Sequence, residues 1–234
     1  MIEGGAGIAL TLNGEHMLAC PSGAAFIPSH SALVVADLHL GKAERNARRG
    51  GGLWPPYEGD ETLARLEGDR AAYRPDTIIA LGDSFDDGHA AQALDETVRK
   101  RIESLAETVR LIWIAGNHDP RPHGLPGECV EELSLGPLIL RHIAQADSEI
   151  GELSGHYHPN LRLQIKGRRI TRKCFLADER RIILPAYGAY TGGMRPDEPP
   201  LAGFMSKNAE AILTGKPMAR LALHAQIQPA SAAR

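Results

Sequence analysis

Apolar positions follow two rhythms that alternate along the first half of the chain. Short runs at 8–12 and 16–20 flank Asn13-Gly14. Asn-Gly between two such runs predicts a β-hairpin, because both residues accept the left-handed backbone of a tight turn. Residues 32–38, 77–81 and 109–115 are continuous apolar runs, the pattern of strands buried on both faces. Between them the spacing turns helical. Leu63, Leu66 and Tyr73 share one face of a helix over 60–73 with Asp60 as its N-cap; Ala91, Leu94, Val98, Ile102 and Leu105 share one face of a second. The order β-α-β-α-β predicts a parallel or mixed sheet covered by helices.

The second half loses the helical rhythm. Residues 138–140, 161–165, 170–175 and 181–185 read as short strands, while 42–58 and 192–200 read as Gly- and Pro-rich loops. Residues 228–234 are small and polar and are expected to fray. No repeat or composition break divides the chain, so a single domain over 1–234 is expected, long enough for a sizeable core.

Composition narrows the class. A net charge of −3 excludes a globally basic, DNA-coating protein but leaves room for a local basic patch. Cys20, Cys129 and Cys174 are odd in number and widely spaced, the usage of a reduced cytosolic protein and not of a disulfide framework or zinc knuckle. The first residues lack a basic flank followed by an apolar run, and no run reaches membrane-spanning length. A soluble cytoplasmic protein with no membrane partner is expected.

Chemistry-bearing residues sit where the predicted strands end. Asp37-Leu38-His39 closes the first core strand, Gly82-Asp83 the second, and Gly116-Asn117-His118-Asp119 the third. Open α/β sheets bind ligands beyond the carboxyl ends of their strands, so these clusters should converge. His142 and Gly155-His156-Tyr157-His158 follow. Alternate residues of an extended segment share a face, which lets Asp37 and His39 ligate one ion together. Singly these signals are weak: Asp-x-His is common by chance, and Asn117 alone reads as a turn residue. Five such clusters in order at strand ends point to a metal site.

The order Asp-x-His, Gly-Asp-x-x-Asp, Gly-Asn-His-Asp, His, Gly-His-x-His resembles the signature of the calcineurin-like metallophosphoesterases. The resemblance implies a four-layer α/β sandwich, two packed mixed sheets flanked by helices with a di-metal site at their shared rim. By position it implies Asp37, His39 and His158 on one ion, Asn117, His142 and His156 on the other, and Asp83 bridging both. His118 becomes the acid near the leaving group, with Asp86 its expected orienting partner. Chemistry agrees: two divalent ions about 3.5–4 Å apart clamp a phosphate and activate water to hydroxide at neutral pH. Mixed His, Asp and Asn ligands suit Mn²⁺ first, or Fe²⁺ or Zn²⁺, better than Mg²⁺.

A narrower resemblance, to the bacterial ligase-associated DNA damage response endonucleases, rests on Asp37–Ala43 with its Arg-rich continuation, on Gly155–Pro159 and on Leu184–Gly193. It implies a manganese-dependent phosphodiesterase that nicks DNA, single-stranded or nicked, in repair, alongside a DNA ligase and a helicase. Two positions depart from it: relatives often carry His at Asp86, and Glu-Pro where Ile143-Ala144 stand. Basic stretches adjoin the ligands. Arg45, Arg48 and Arg49 follow His39, and Arg162, Lys166, Arg168, Arg169, Arg172, Lys173, Arg180 and Arg181 follow His158. Of these, Arg45, Arg48, Arg49, Arg168, Arg169, Arg172 and Lys173 are the expected contacts to a polyanion's backbone, and Tyr157, Tyr187 and Tyr190 could stack on bases. The alternatives are a small-molecule phosphatase or cyclic-nucleotide phosphodiesterase, and a non-catalytic scaffold.

Overall fold

The computed structural model describes residues 7–42, 50, 57–87, 90–120 and 124–226. Arg45, Arg48, Arg49 and the 228–234 tail lie outside the described residues, so the expectations for them rest on sequence alone.

The first sheet runs β1 (Ile8–Leu12), β2 (Glu15–Ala19), β3 (Ala25–Ile27), β4 (Ala32–Val35), β5 (Thr77–Leu81), β6 (Arg110–Ile114) and β7 (Glu128–Val130), in sequence order. Its first four strands meander antiparallel, and β4 through β7 are parallel. Helices α1 (Glu58–Tyr73) and α2 (Glu96–Ala106) make the β4-α1-β5-α2-β6 crossovers that the apolar rhythm predicts.

The second sheet comprises β8 (Leu133–Leu135), β9 (Leu138–Leu140), β10 (Glu152–Ser154), β11 (Asn160–Ile165), β12 (Arg168–Ala177), β13 (Arg181–Ile183), β14 (Glu210–Leu213) and β15 (Ala219–Ala222). Its order is β15-β14-β12-β13-β10-β9-β8, with β11 paired to β12 off this path. Only β9-β10 and β10-β13 are parallel. Two short helices, α3 (Leu201–Phe204) and α4 (Leu223–Gln226), complete the order.

Side-chain alternation explains the layering. Val34, Ile79, Leu81, Ile112 and Ile114 of the first sheet meet Leu140, Leu153, Phe175, Ile182 and Ile212 of the second in one buried core. The alternate residues Leu33, Val35, Ile78, Ala80, Leu111 and Trp113 pack outward against Leu63, Leu66, Ile102 and Leu105 of the helices. Strands buried on both faces read as unbroken apolar runs for this reason. On the far side, Cys174, Leu176 and Ile183 pack with Leu201 and Leu223.

Helix starts differ from expectation. α1 begins at Glu58, and Asp60 lies in its first turn, where the helix dipole favours a carboxylate and Arg101 Nη1 pairs with it at 2.9 Å. The second helix begins at Glu96 because the Asp95 side chain accepts from Thr97 N–H at 2.8 Å, leaving Ala91 and Leu94 buried in the turns before it. Cys20 and Cys174 are buried and Cys129 is exposed. No described helix is long and apolar enough to cross a membrane.

Candidate metal centre and active site

The parallel strands deliver their polar residues to one rim. Asp37 and His39 follow β4, Asp83 follows β5, Asn117 and His118 follow β6, His142 follows β9, and His156 and His158 follow β10. The loops then stitch to one another. His39 and Leu40 N–H donate to Asp83 O and Ser84 O, both at 2.9 Å, and Gly155 N–H donates to His142 O at 3.0 Å. His156 N–H reaches the Asp37 carboxylate at 2.9 Å, joining the two sheets. Asp37, His39, Asp83, His156 and His158 all have positive φ, between 45° and 70°. Asp and His tolerate this region better than most residues, yet each such position stores strain, and clusters of them mark functional sites. Gly82 leaves room here, since a Cβ on it would lie 2.5 Å from the His142 ring.

Two groups of donors result: Asp37, His39 and His158, and Asp83, His142 and His156, with the ligand atoms of each within 4.8 Å of one another. In the first, His39 Nε2 and His158 Nε2 are 3.3 Å apart and His158 Nε2 is 3.3 Å from Asp37 Oδ1. In the second, His142 Nε2 lies 3.4 Å from Asp83 Oδ2, 3.2 Å from His156 Nδ1 and 2.9 Å from Asn117 Oδ1. Ligands about 2.1 Å from a tetrahedral ion stand about 3.4 Å apart, so these spacings fit the edges of coordination shells. The donor set therefore fits two divalent ions.

Electrostatics prepare the ligands. Burial opposes charge on Asp83, but hydrogen bonding to His142 and the His118 N–H, with the nearby imidazoles, holds its carboxyl at about 2. Burial lowers the His156 pKa, with His142 beside it acting in the same direction, which favours the neutral ring a metal requires. His142 Nδ1 lies 2.8 Å from Leu81 O, fixing the ring with Nε2 toward the site.

His118 sits at the edge, its Nε2 3.9 Å from Asp83 Oδ2 and its side chain one-third exposed. Its Nδ1 donates to the backbone carbonyl of Asp86 at 2.9 Å. The Asp86 carboxylate turns elsewhere, 3.1 Å from His39 Nδ1, although off the line of a hydrogen bond. Of the expected partner Asp86 it is thus the carbonyl that meets the His118 ring, and the carboxylate faces His39. Sequence reasoning also missed Asp119. Its buried carboxylate accepts from the N–H groups of Asp83, Ser84, Phe85 and Gly116 at 2.8–3.1 Å, and burial pushes its carboxyl up to about 6 despite these donors. The signal available was the acidic residue closing Gly-Asn-His-Asp at a loop dense in unpaired N–H groups.

The basic hairpin is real, and its register sorts its residues. β11 and β12 are joined through Lys166-Gly167, both with positive φ, as a two-residue hairpin turn requires. Pairing of Arg162 with Thr171 and of Gln164 with Arg169 puts Arg162 and Arg169 on the face of Lys173. Phe175 and Ala177, further along that face, enter the inter-sheet core. Arg168 and Arg172 occupy the opposite face, and Arg172 Nη2 donates to Pro217 O at 3.0 Å. Lys173 is corrected as a substrate contact: its Nζ donates to Ala186 O and Gly188 O, both at 2.8 Å. Arg181 is buried and stacks over Phe204. Tyr157 and Tyr187 are buried too, whereas Tyr190 is exposed.

The chain resembles known proteins in fold and in sequence. The crystal structure of the Pseudomonas putida nuclease MPE superposes with a TM-score of 0.72 at 28% identity, covering 92% of this chain and 100% of that one. A cAMP/cGMP dual specificity phosphodiesterase of Mycobacterium tuberculosis is 28% identical over 146 residues, 58% of this chain. The chain spans 42% of the length of that curated relative. The calcineurin-like phosphoesterase family model matches residues 30–192, from just before β4 to just past Tyr190. That span holds every proposed ligand, and the chain belongs to the calcineurin-like phosphoesterase family.

Proposed function

We propose that the protein is a two-metal phosphodiesterase that hydrolyses DNA. When bound, two divalent ions supply Lewis acidity toward the phosphate and activation of water. The chain's own residues do the rest. Asp37, His39 and His158 would hold one ion and Asn117, His142 and His156 the other, with Asp83 the carboxylate that would serve both. His118 stands at the exposed edge of the site, where its Nε2 donates a proton to the leaving alkoxide. The mixed nitrogen and oxygen donors favour Mn²⁺, Fe²⁺ or Zn²⁺.

The observation that carries the choice of DNA is the exposed Arg162-Arg169 face of the hairpin, on the side that Lys173 links to the loop beside Asp37. A duplex or single strand is long enough to meet both arginines and the metals, while a small diester is not. The likeness to a nuclease supports the same reading. The likeness to a cyclic-nucleotide phosphodiesterase favours a second reading, in which a small cyclic diester is the substrate and the arginines are incidental.

The deciding experiment compares Mn²⁺-dependent turnover of single-stranded DNA, duplex DNA, cyclic AMP and bis-p-nitrophenyl phosphate. Arg162→Glu/Arg169→Glu should weaken DNA binding and flatten its logarithmic salt slope by about 1.5, two phosphate contacts' worth. Arg168→Glu on the opposite face serves as the control. Turnover of the small diester should stay at the parent rate. Equal DNA cleavage by parent and double variant across a salt titration, with efficient turnover of cyclic AMP, decides for the second reading.

A further inference from the structure

The segment 186–189 runs against the backbone that carries Asp37 of the first donor group. Its N–H groups reach the strained backbone after β4: Tyr187 N–H donates to Ala36 O at 2.7 Å and Gly188 N–H to Asp37 O at 3.1 Å. The approach is close enough that a Cβ on Gly188 would lie 2.1 Å from Leu38 O. Asp37 holds φ at 53°, so the carbonyl that Gly188 grips belongs to a ligand in the left-handed region.

Three successive carbonyls on this segment are taken by two cations, one from each of two layers. Lys173 Nζ, on β12, bonds Ala186 O and Gly188 O at 2.8 Å. Arg65 Nη1, on α1, bonds Tyr187 O, and its guanidinium lies 5.5 Å from the Tyr187 ring centroid. The Tyr187 hydroxyl donates to Asp69 Oδ2 at 2.9 Å, and Ala189 N–H donates to Thr62 Oγ1 at 3.0 Å. Tyr187 itself is fully buried. Hydrogen bonds from charged donors are stronger than neutral ones, and a segment whose carbonyls are held from two layers cannot follow either alone.

We infer that Lys173 and Arg65 are positioning residues for the first metal group, clamping segment 186–189 so that it holds Asp37, and through it His39, in ligating geometry. Neither residue touches an ion or substrate. Their effect should fall on the Asp37, His39 and His158 group and spare the Asp83, His142 and His156 group, which is tied down separately by Asp119 and Leu81.

The test is calorimetric titration of the full chain with Mn²⁺, joined to the electron paramagnetic resonance of the bound ions and thermal unfolding of the metal-free protein. The parent must first bind two ions; failure there sinks the two-metal reading itself, and the inference with it. Lys173→Met and Arg65→Met should each keep one ion at parent affinity and weaken the other by about 10–100-fold, the loss typical of an outer orienting partner. The weakened ion should be the one lost in His158→Ala, and the resonance should change from a coupled pair to an isolated ion. Arg65→Lys, which keeps a cation for Tyr187 O, should recover most of the affinity. Should Lys173→Met fail to fold, the two Arg65 variants decide. Two ions bound at parent affinity, or both weakened alike, overturns the inference.

Discussion

The Asp86 carboxylate stands 3.1 Å from His39 Nδ1, while the Asp86 carbonyl, 2.9 Å from His118 Nδ1, holds the proposed acid. One residue therefore faces a proposed ligand with its side chain and holds the proposed acid with its backbone. Asp86→Ala removes the carboxylate and keeps the carbonyl. It should weaken Mn²⁺ binding by about 10–100-fold and, at saturating metal, leave the acid limb of the pH–rate profile where the parent has it. Parent-like metal affinity with a lost acid limb would show that the carboxylate serves His118 after all.

His118→Ala should keep both ions and DNA binding while lowering the rate by about 10²–10⁴. The loss should shrink on bis-p-nitrophenyl phosphate, whose leaving group needs no proton. Equal losses on both substrates, measured side by side, would assign His118 another role.

Asp83→Asn should abolish turnover and lower the bound metal, because one carboxylate is asked to serve both groups. Metal content by mass spectrometry checks this. Full activity with two ions still bound is the result that removes Asp83 from the bridge.

Asp119→Ala strips an acceptor from four buried or partly buried N–H groups at once. It should destabilise the metal-free protein by on the order of 3 kcal/mol in urea unfolding and weaken the Asp83 group for metal. A loss below about 1 kcal/mol would mean that the loop finds other partners.

Several strands were legible from the apolar pattern alone. Residues 77–81 match β5, and 138–140 match β9, because apolar runs bounded by turns leave little choice. Ala25–Ile27, Glu128–Val130 and Glu152–Ser154 escaped, being three-residue strands that exist through pairing with neighbours rather than through any local pattern. The residues that the rim gathers into its two donor groups were named by the strand-end motifs. What sequence could not convey was which atom of a residue does the work: carbonyl or carboxylate at Asp86, solvent-facing or loop-holding ammonium at Lys173. Those choices depend on the register of β12 and on loop φ angles that only the assembled rim imposes.

Five of the proposed ligands sit at positive φ, each at a strain of about 1–3 kcal/mol. A rim under that tension makes folding and metal binding two sides of one equilibrium. Free ion at about 100 times its dissociation constant adds about 2.7 kcal/mol per site to stability by mass action, on the order of the strain it offsets. Chelation should therefore speed amide exchange at Asp37, Asp83 and His156 first, while the amides of β4, β5 and β6 keep their protection. The protein would then report the availability of its metal through the local opening of its own rim.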